Sequence, residues 1–338
     1  MTDLEHLNAC PVCAVQSGQA ILYPSLRDKV YPNTPGAWDF YRCAACGSGY
    51  FNPRPTPETV GRLYEEYYTH AHATPPAYEQ LSLAGKVRRM LGNGYRNYRF
   101  GMRERPASLL GVLAALLTPD YRALLDAGGR HLPKHPKGRL LDVGCGNGDF
   151  LEFATRAGWQ AIGVEPDPKA VEVARARRLT VHLGGLDALN TEQEVFDGIT
   201  MNHVIEHVHH PRATLEACYR LLKPGGWLWI ETPNLDSQGH ARFREHWVGL
   251  DIPRHLVVFT HRSLTRLLQE VGFARIEPLP YYPLCERVYA MSRAIATGAS
   301  PHQPPPLPQE ELLLARQAEV NARHRPEIRE FVMVRAWK

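Results

Sequence analysis

Short runs of apolar residues alternate, through the second half of the chain, with segments whose apolar residues recur every three or four positions. The runs predict strands over Arg139–Val143, Gln160–Val164, Thr180–Leu183, Gly198–Val204 and Trp227–Glu231. The segments between them predict helices over Asp149–Ala157, Pro168–Arg178 and Pro211–Leu222. A helix, a strand and a final alternating strand follow, at Ser263–Val271, near Ile276 and in EFVMVRAWK. Strand–helix alternation is typical of a parallel sheet covered by helices, so we predict an α/β fold with a doubly wound sheet of about seven strands.

The first half of the chain has a different pattern. Residues 1–55 hold two cysteine pairs with turn-rich, aromatic-rich spacers, and a helical pattern runs over Glu58–Tyr68 after NPRPTPETV. From about 81 to 137 the pattern is helical and basic. We therefore predict a small module at 1–55, a helical connecting or lid region at 56–136 and the sheet domain at 137–338. A proline-rich insert near 284–329 predicts a loop and then a polar helix.

Composition narrows the class of protein. The 338 residues fit two or three units, and a formal charge of +4 is too slight for the basic stripe that usually marks nucleic-acid binding. The longest apolar run, Leu109–Leu117, is too short to span a bilayer. The segment MTDLEHLNAC lacks the apolar core of a secretion signal, so we expect a cytoplasmic protein.

A glycine-rich loop follows the first strand of the predicted sheet, in LLDVGCGNGDF. Glycines at 144, 146 and 148 let the backbone turn sharply and approach a ligand closely. A dinucleotide loop would place a third glycine at 149, where this chain has Asp149. That carboxylate repels phosphate, whereas Asp142 and Asp149 both suit a cationic ligand. Glu165 ends the second strand, where a carboxylate accepts hydrogen bonds from ribose hydroxyls.

These motifs carry a resemblance to a known family. LLDVGCGNGDF, GVEPDP, FDGITMNHVIEHV and RLLKPGGWLWIETPN resemble the successive motifs of class I, Rossmann-like methyltransferases that use S-adenosylmethionine. The resemblance implies cofactor contacts from residues on the loop and the following strand ends: Asp142, Gly144, Cys145, Gly146, Glu165, Pro166, Leu186, Asp187, Asn202 and His203.

The cysteine pairs Cys10–Cys13 and Cys43–Cys46 predict a structural zinc site. Four thiolates in two C-x-x-C pairs can converge tetrahedrally on one Zn²⁺ ion, which stabilises a module with few core residues. The layout C-P-x-C, Y-R-C-A-A-C-G and N-P-R-P-T-P-E resembles zinc-ribbon methyltransferases of sugar and polysaccharide pathways. The segment His246–Phe259 resembles the same branch, whose members include C- and O-methyltransferases.

Histidines after the fourth and fifth strands are the candidate bases, because imidazole accepts a proton near neutral pH. Our first choice is His255 with Asp251 as its orienting carboxylate, and His207 with Glu206 is the second. Glu206–His207 also resembles the E-H pair of quinone O-methyltransferases, some of which use a divalent metal there. We assign acceptor binding to Arg254, through an anionic group, and to His246 and Tyr67.

The predicted function is methyl transfer to a hydroxyl or carbon of a sugar, nucleotide sugar, glycan or other small metabolite. The alternative is an RNA methyltransferase that uses the ribbon to bind RNA, although the mild charge and the lack of an N-P-P-Y-type loop disfavour it. We expect a small-molecule or glycan partner, no nucleic acid and no transmembrane segment. The oligomeric state stays open.

Overall fold

The computed structural model of the protein describes residues 3–31, 34, 36–64 and 77–338. Contacts divide the chain into two compact units, one of residues 1–67, 201–219 and 229–338 and the other of residues 68–200 and 220–228. These units cut across the three-part division that the sequence suggests, which stays a prediction. In the part of the chain that is described, no helix combines the length and hydrophobicity needed to cross a bilayer.

Five short strands open the chain: β1 (Leu4–Glu5), β2 (Gln19–Leu26), β3 (Trp38–Cys43), β4 (Gly49–Phe51) and β5 (Arg54–Pro55). Strand β1 pairs with β5, and β2, β3 and β4 form an antiparallel sheet. A much later strand, Val257–Val258, pairs with β4 and adds a fourth strand. The sequence does not predict this fourth strand, because two residues are too few to show the alternation of apolar and polar residues that marks a strand.

The next described segment is helical, as predicted. A 3₁₀ helix covers Val60–Tyr64. Of the rest of the helix predicted at 58–68, residues 58 and 59 form a turn and residues 65–68 lie outside the described residues. Three α-helices follow: α1 (Leu83–Phe100), α2 (Leu110–Leu117) and α3 (Pro119–Gly128). The Ser82 hydroxyl accepts a hydrogen bond from the Gly85 N–H and caps the start of α1. Gly101, in the left-handed conformation at φ 71°, ends that helix.

The second half of the chain forms the predicted seven-stranded sheet with its helices. Its elements are β6 (Arg139–Val143), α4 (Asp149–Arg156), β7 (Gln160–Glu165), α5 (Pro168–Ala176), β8 (Thr180–Leu183), β9 (Phe196–Asn202), α6 (Pro211–Leu221), β10 (Leu222–Pro233), α7 (Gln238–Phe243), β11 (Val257–Val258), α8 (His261–Val271), β12 (Arg275–Pro278), α9 (Cys285–Thr297), α10 (Gln309–His324) and β13 (Phe331–Trp337). The strand order is β12-β13-β10-β9-β6-β7-β8. Strands β6, β7 and β8 are parallel, whereas β12 and β13 are antiparallel. The Rossmann-like fold class is confirmed.

Several boundaries differ from the prediction for local reasons. Strand β9 ends at Asn202 rather than at 204, because His203 adopts a positive φ of 51° that no strand tolerates. Helix α8 begins at His261 because Thr260 and Ser263 form a reciprocal capping box. The proline-rich insert contains the predicted polar helix as α10 and also α9, which the sequence analysis missed.

Candidate active site

The loop after β6 is shaped by its glycines. Gly144, Gly146 and Gly148 have φ angles of 66°, 54° and 86°, a region that disfavours residues with a Cβ. The N–H groups of Gly144 and Cys145 both donate to the Val164 carbonyl oxygen, at 2.9 and 3.2 Å. The loop therefore folds back against β7 through backbone contacts.

Gly146 and Gly148 are required for different reasons. A Cβ on Gly148 would lie 2.4 Å from Leu179 Cδ1 and 3.1 Å from Ala174 Cβ on α5, so the loop is closely packed at this position. A Cβ on Gly146 would meet no atom within 4 Å among the described residues. The loop is thus closely packed at Gly148 and open at Gly146. A ligand can therefore approach the backbone at Gly146.

Glu165 fastens the loop to the end of β7. Its Oε2 accepts from the Gly146 N–H at 2.8 Å, and its Oε1 accepts from the Asp167 N–H at 3.0 Å. Burial raises the pKa of Glu165, and these backbone hydrogen bonds counteract that rise. Because each carboxylate oxygen can accept a second hydrogen bond, the side chain can still bind hydroxyl groups.

Asp142 is fully buried at the end of β6. The Thr200 hydroxyl donates to its Oδ1 at 2.8 Å, and the Arg130 guanidinium pairs with the same oxygen. The other oxygen, Oδ2, has no hydrogen-bond partner among the described residues. Burial raises the pKa of Asp142, and Arg130 and Thr200 counteract it. One buried acceptor atom is therefore available to a donor group of a ligand.

Arg130 and Thr200 are site residues that the sequence analysis missed. Arg130 has a φ of 46° and lies 3.8 Å above the Phe150 ring, which orients its guanidinium toward Asp142. It also donates to the Thr200 hydroxyl at 3.1 Å. An arginine in a loop between α3 and β6 carries no motif, so only the structure identifies it.

The remaining predicted cofactor residues occupy the expected strand ends. Pro166 is exposed after β7, and Leu186 and Asp187 lie on a short 3₁₀ helix after β8, where Asp187 Oδ1 accepts from the Gly185 N–H at 3.0 Å. Asn202 is the last residue of β9. Asp149 does not fit its assignment to a cationic ligand, because its Oδ1 lies 2.8 Å from Arg177 and the pair is already formed.

In the other unit, His203 lies between two carboxylates. Its Nδ1 is 3.1 Å from Glu206 Oε1 and its Nε2 is 3.5 Å from Glu231 Oε1. Burial lowers the pKa of His203, but contacts with Glu206 and Glu231 outweigh it and raise the pKa to about 10. The imidazole is therefore protonated at neutral pH. A protonated ring cannot act as a base, so His203 supplies a fixed positive charge.

Glu206 is the buried anion of this group. Its Oε2 accepts from the Thr232 hydroxyl at 2.9 Å and its Oε1 faces His203. Burial alone would raise its pKa, yet the hydrogen bond and charge of His203 lower the pKa to about 2. Glu206 is thus ionised and holds His203 in place, and it is not an acid or base near neutral pH.

His207 is held by its Nδ1 nitrogen. That atom lies 3.0 Å from the Arg254 carbonyl oxygen and 2.8 Å from the Tyr64 hydroxyl. Because a carbonyl only accepts, Nδ1 carries the proton and Nε2 is the basic nitrogen. Burial and then the neighbouring His255 lower the pKa of His207 to about 4, so the ring is neutral at physiological pH.

His255 lies beside His207, with ring centroids 4.7 Å apart. Its Nδ1 donates to the Gly249 carbonyl oxygen at 2.8 Å, which again leaves Nε2 as the basic nitrogen. Asp251 is not the orienting group that the sequence suggests: its Oδ2 lies 3.8 Å from Nε2, and its Oδ1 accepts from Arg254. The structure therefore holds two imidazoles side by side, each fixed by a backbone carbonyl.

Of the three predicted acceptor-binding residues, the structure describes Arg254 and His246. Arg254 is buried between Asp251 and Asp28, at 2.6 and 2.8 Å, so an acceptor anion would have to displace a carboxylate. His246 lies at the edge of a cavity of about 270 Å³ that Asp28, Lys29 and Trp247 also line. Tyr67 lies outside the described residues. Acceptor binding by these residues stays a prediction.

Within the part of the chain that the structure describes, two groups of residues could hold a metal ion. The sulfur atoms of Cys10 and Cys46, and those of Cys13 and Cys43, are 3.7 Å apart, and ligand atoms of all four lie within 4.8 Å of one another. A tetrahedral zinc–thiolate site requires sulfurs about 3.8 Å apart, given Zn–S bonds of about 2.3 Å. Ligand atoms of Glu206, His207 and His255 also lie within 4.8 Å of one another, although the Glu206 oxygens already contact His203 and Thr232.

Comparison with known proteins adds a family match. A family model described as a methyltransferase domain matches residues 103–277, which is just over half of the chain. The matched segment contains the glycine loop, Glu165 and the histidine pair.

Curated relatives cover a smaller part of the chain. The chain is 32% identical over 130 residues to the mitochondrial ubiquinone biosynthesis O-methyltransferase of Mus musculus, over 35% of each protein. It is 40% identical over 103 residues to the ubiquinone biosynthesis O-methyltransferase of Xanthomonas oryzae pv. oryzae, over 28% of this chain and 43% of the relative. The segments that match this chain thus cover less than half of the length of these relatives.

Solved structures show similar chains. A methyltransferase from Archaeoglobus fulgidus, described as dependent on S-adenosylmethionine, aligns with a TM-score of 0.43 and 22% identity, over 60% of this chain and 87% of that one. A second such protein, from Mesorhizobium loti, aligns with a TM-score of 0.43 and 19% identity, over 64% of this chain and 98% of that one.

Proposed function

Because the chain belongs to the methyltransferase-domain family, we propose that it transfers a methyl group from S-adenosylmethionine to a hydroxyl group of a small acceptor. The observation that carries the proposal is the glycine loop after β6, which Glu165 fastens and which is open at Gly146. The reaction is an in-line displacement at carbon. It requires alignment of the acceptor oxygen and removal of its proton.

The residues around the loop fit S-adenosylmethionine. This cofactor is a nucleoside that carries an ammonium and a sulfonium group, and it supplies an activated methyl group when bound. We assign the ribose hydroxyls to Glu165, whose oxygens retain accepting capacity. We assign a donor group of the cofactor to Asp142, whose buried Oδ2 has no hydrogen-bond partner among the described residues. The backbone at Gly146 permits close approach.

His207 and His255 are the proposed bases. In each ring Nδ1 is hydrogen-bonded to a carbonyl oxygen, and Nε2 is left to accept a proton. The paired charges of Glu206 and His203 lie next to this pair. When His255 gains a proton, the carboxylates of Asp251 and Glu206, 3.8 and 4.0 Å from its Nε2, stabilise the new charge.

The chemistry of the pair favours a phenolic acceptor over a sugar. The lowered pKa of His207, about 4, makes it a weak base, which best deprotonates an acidic hydroxyl. A phenol has an ordinary pKa of about 10 and is far more acidic than a sugar hydroxyl. The two curated relatives are named as O-methyltransferases of ubiquinone biosynthesis, which agrees with an oxygen acceptor. The sugar acceptor rests on the sequence resemblance alone, and no observation favours RNA.

Labelled methyl transfer tests the proposal. The full chain is incubated with S-adenosylmethionine labelled in its methyl group and, separately, with catechols, hydroxylated quinols, nucleotide sugars and total RNA. We expect label in the phenolic products and its loss in the His207→Ala/His255→Ala double variant. Label only in a nucleotide sugar or RNA would contradict the phenolic acceptor, and label in no acceptor while cofactor binding persists would contradict the assigned reaction.

We further propose that Cys10, Cys13, Cys43 and Cys46 hold one structural Zn²⁺ ion. The 3.7 Å sulfur distances support it. Two turns also support it, in which the Ala14 N–H donates to the Cys10 carbonyl oxygen and the Gly47 N–H donates to the Cys43 carbonyl oxygen. Elemental analysis of protein purified without chelator should give one zinc per chain, and Cys46→Ser should abolish it. A zinc content near zero in the wild type would contradict this site.

A further inference from the structure

Helix α2 presents its leucines to solvent. The exposed fractions of Leu110, Leu113, Leu116 and Leu117 are 65%, 53%, 58% and 74%, and Leu109 just before the helix is 84% exposed. At 100° per residue these five positions fall within an arc of about 120° on one side of the helix. Large aliphatic side chains gathered on one exposed helix face are unusual in a protein surface and mark an interaction site.

The opposite side of α2 is fixed against α1. A Cβ on Gly111 would lie 1.9 Å from the Leu91 carbonyl oxygen, and a Cβ on Gly94 would lie 1.7 Å from the Ser108 carbonyl oxygen. The two helices therefore meet backbone to backbone through glycines, with Ala115 fully buried on the same side. Because only glycine fits these contacts, α2 cannot rotate to turn its leucines inward.

The helices before and after α2 also expose aliphatic side chains. Leu83 and Val87, one turn apart at the start of α1, are 83% and 47% exposed, and Leu124 of α3 is 43% exposed. We call the exposed aliphatic residues of α1, Leu109, α2 and α3 the leucine face.

The same segment has many more basic than acidic residues. Residues 81–124 contain eight Lys and Arg and two Asp and Glu, whereas the whole chain contains 39 and 35. Arg88, Arg103, Arg105 and Arg122 are exposed. Of the two acidic residues, Glu104 pairs with Arg156. The segment thus combines an aliphatic face with a strong excess of cations.

We propose that α1, α2 and α3 form a docking surface for an anionic lipid membrane. Helices with leucines on one side and basic residues around them lie at the boundary of headgroups and acyl chains, where both kinds of side chain are satisfied. Nucleic acid fits the arginines but not the leucines, since single strands are bound through aromatic stacking. A symmetric dimer would bury the leucines but bring the same arginines of two copies together. The proposal does not depend on the methyl acceptor.

Vesicle flotation tests the proposal with the full chain. We expect the protein to float with vesicles of phosphatidylcholine and phosphatidylglycerol, to bind pure phosphatidylcholine less, and to dissociate as salt is raised. Leu113→Ser/Leu117→Ser should weaken binding about tenfold or more, because two apolar side chains leave the lipid. Arg103→Gln/Arg105→Gln should weaken only the binding to anionic vesicles. Leu313→Ser, which changes an equally exposed leucine on α10, is the matched control.

All the substituted side chains are exposed, so the variants should fold, and their thermal unfolding is measured beside the wild type. Equal flotation of the leucine variant and the Leu313→Ser control would overturn the proposal, as would a wild type that does not float. A wild type that is dimeric by sedimentation and becomes monomeric in the leucine variant, without flotation, would assign the face to a second copy. A salt-sensitive RNA gel shift without flotation would assign it to nucleic acid.

Discussion

The glycine loop of one unit and the histidine pair of the other are built in opposite ways. The loop is made by backbone: its φ angles, its N–H groups and the two oxygens of Glu165 define it, and the residues involved are close in sequence. The histidine pair is made by side chains from segments 48 residues apart, and each ring is oriented by a carbonyl oxygen that no motif reveals. Changes at the loop should therefore alter cofactor affinity, whereas changes at the pair should alter the rate of the chemical step.

The largest effect is expected from removal of the histidine pair. His207→Ala/His255→Ala should lower the single-turnover rate by about 100-fold or more, because a positioned base typically contributes that much. Cofactor affinity should change little, since both rings act on the acceptor. His210→Ala, which removes an exposed histidine from the same segment, is the control. Of the single variants, the one with the larger loss identifies the base, and normal turnover in the double variant would show that neither is needed.

Substitutions of the loop glycines should affect cofactor affinity and the stability of the fold to different extents. Gly148→Ala forces a Cβ to within 2.4 Å of Leu179 and should lower the free energy of unfolding by roughly 1–3 kcal/mol. Gly146→Ala meets no atom of the described residues, so it should cost less stability and weaken cofactor binding more. Thermal unfolding and calorimetric titration of both variants measure the two quantities. If Gly146→Ala binds as tightly as the wild type, the cofactor does not approach the loop there.

The two regions also differ in how much of each could be predicted from the sequence. The loop and Glu165 could be recognised because glycines at alternate positions after an apolar strand are typical of a loop that binds a nucleoside or dinucleotide. Arg130 could not, because its role depends on a positive φ and on packing over Phe150. Proximity in sequence pairs Asp251 with His255, but the Asp251 carboxylate binds Arg254, and the Gly249 carbonyl oxygen orients His255. Side-chain partnerships depend on tertiary contacts that spacing does not encode.

The smallest expected effect is a change in the protonation of His203 and His207 with pH. The pKa of His203 is raised to about 10 and that of His207 is lowered to about 4, so neither ring should titrate between about pH 5 and 9. The ion pair of His203 with Glu206 stabilises the fold fully between the ordinary pKa values of glutamate and histidine, and this stabilisation is lost as pH rises through about 10. It is also lost at the acid end, as pH falls through about 2 and Glu206 gains a proton. Histidine side-chain NMR shifts measure this; a His203 resonance that titrates near 6.5 would contradict the assigned charges.

The central claim is that the Glu165-fastened loop binds S-adenosylmethionine, and calorimetric titration of S-adenosylhomocysteine into the full chain tests it most directly. We predict one site per wild-type chain and affinity at least about tenfold weaker in Glu165→Gln, because one accepting oxygen is lost to an amide donor. Glu172→Gln, an exposed change on α5, should bind as the wild type does. A wild type that takes up no nucleoside, or a Glu165→Gln variant that binds with unchanged affinity, would contradict the account.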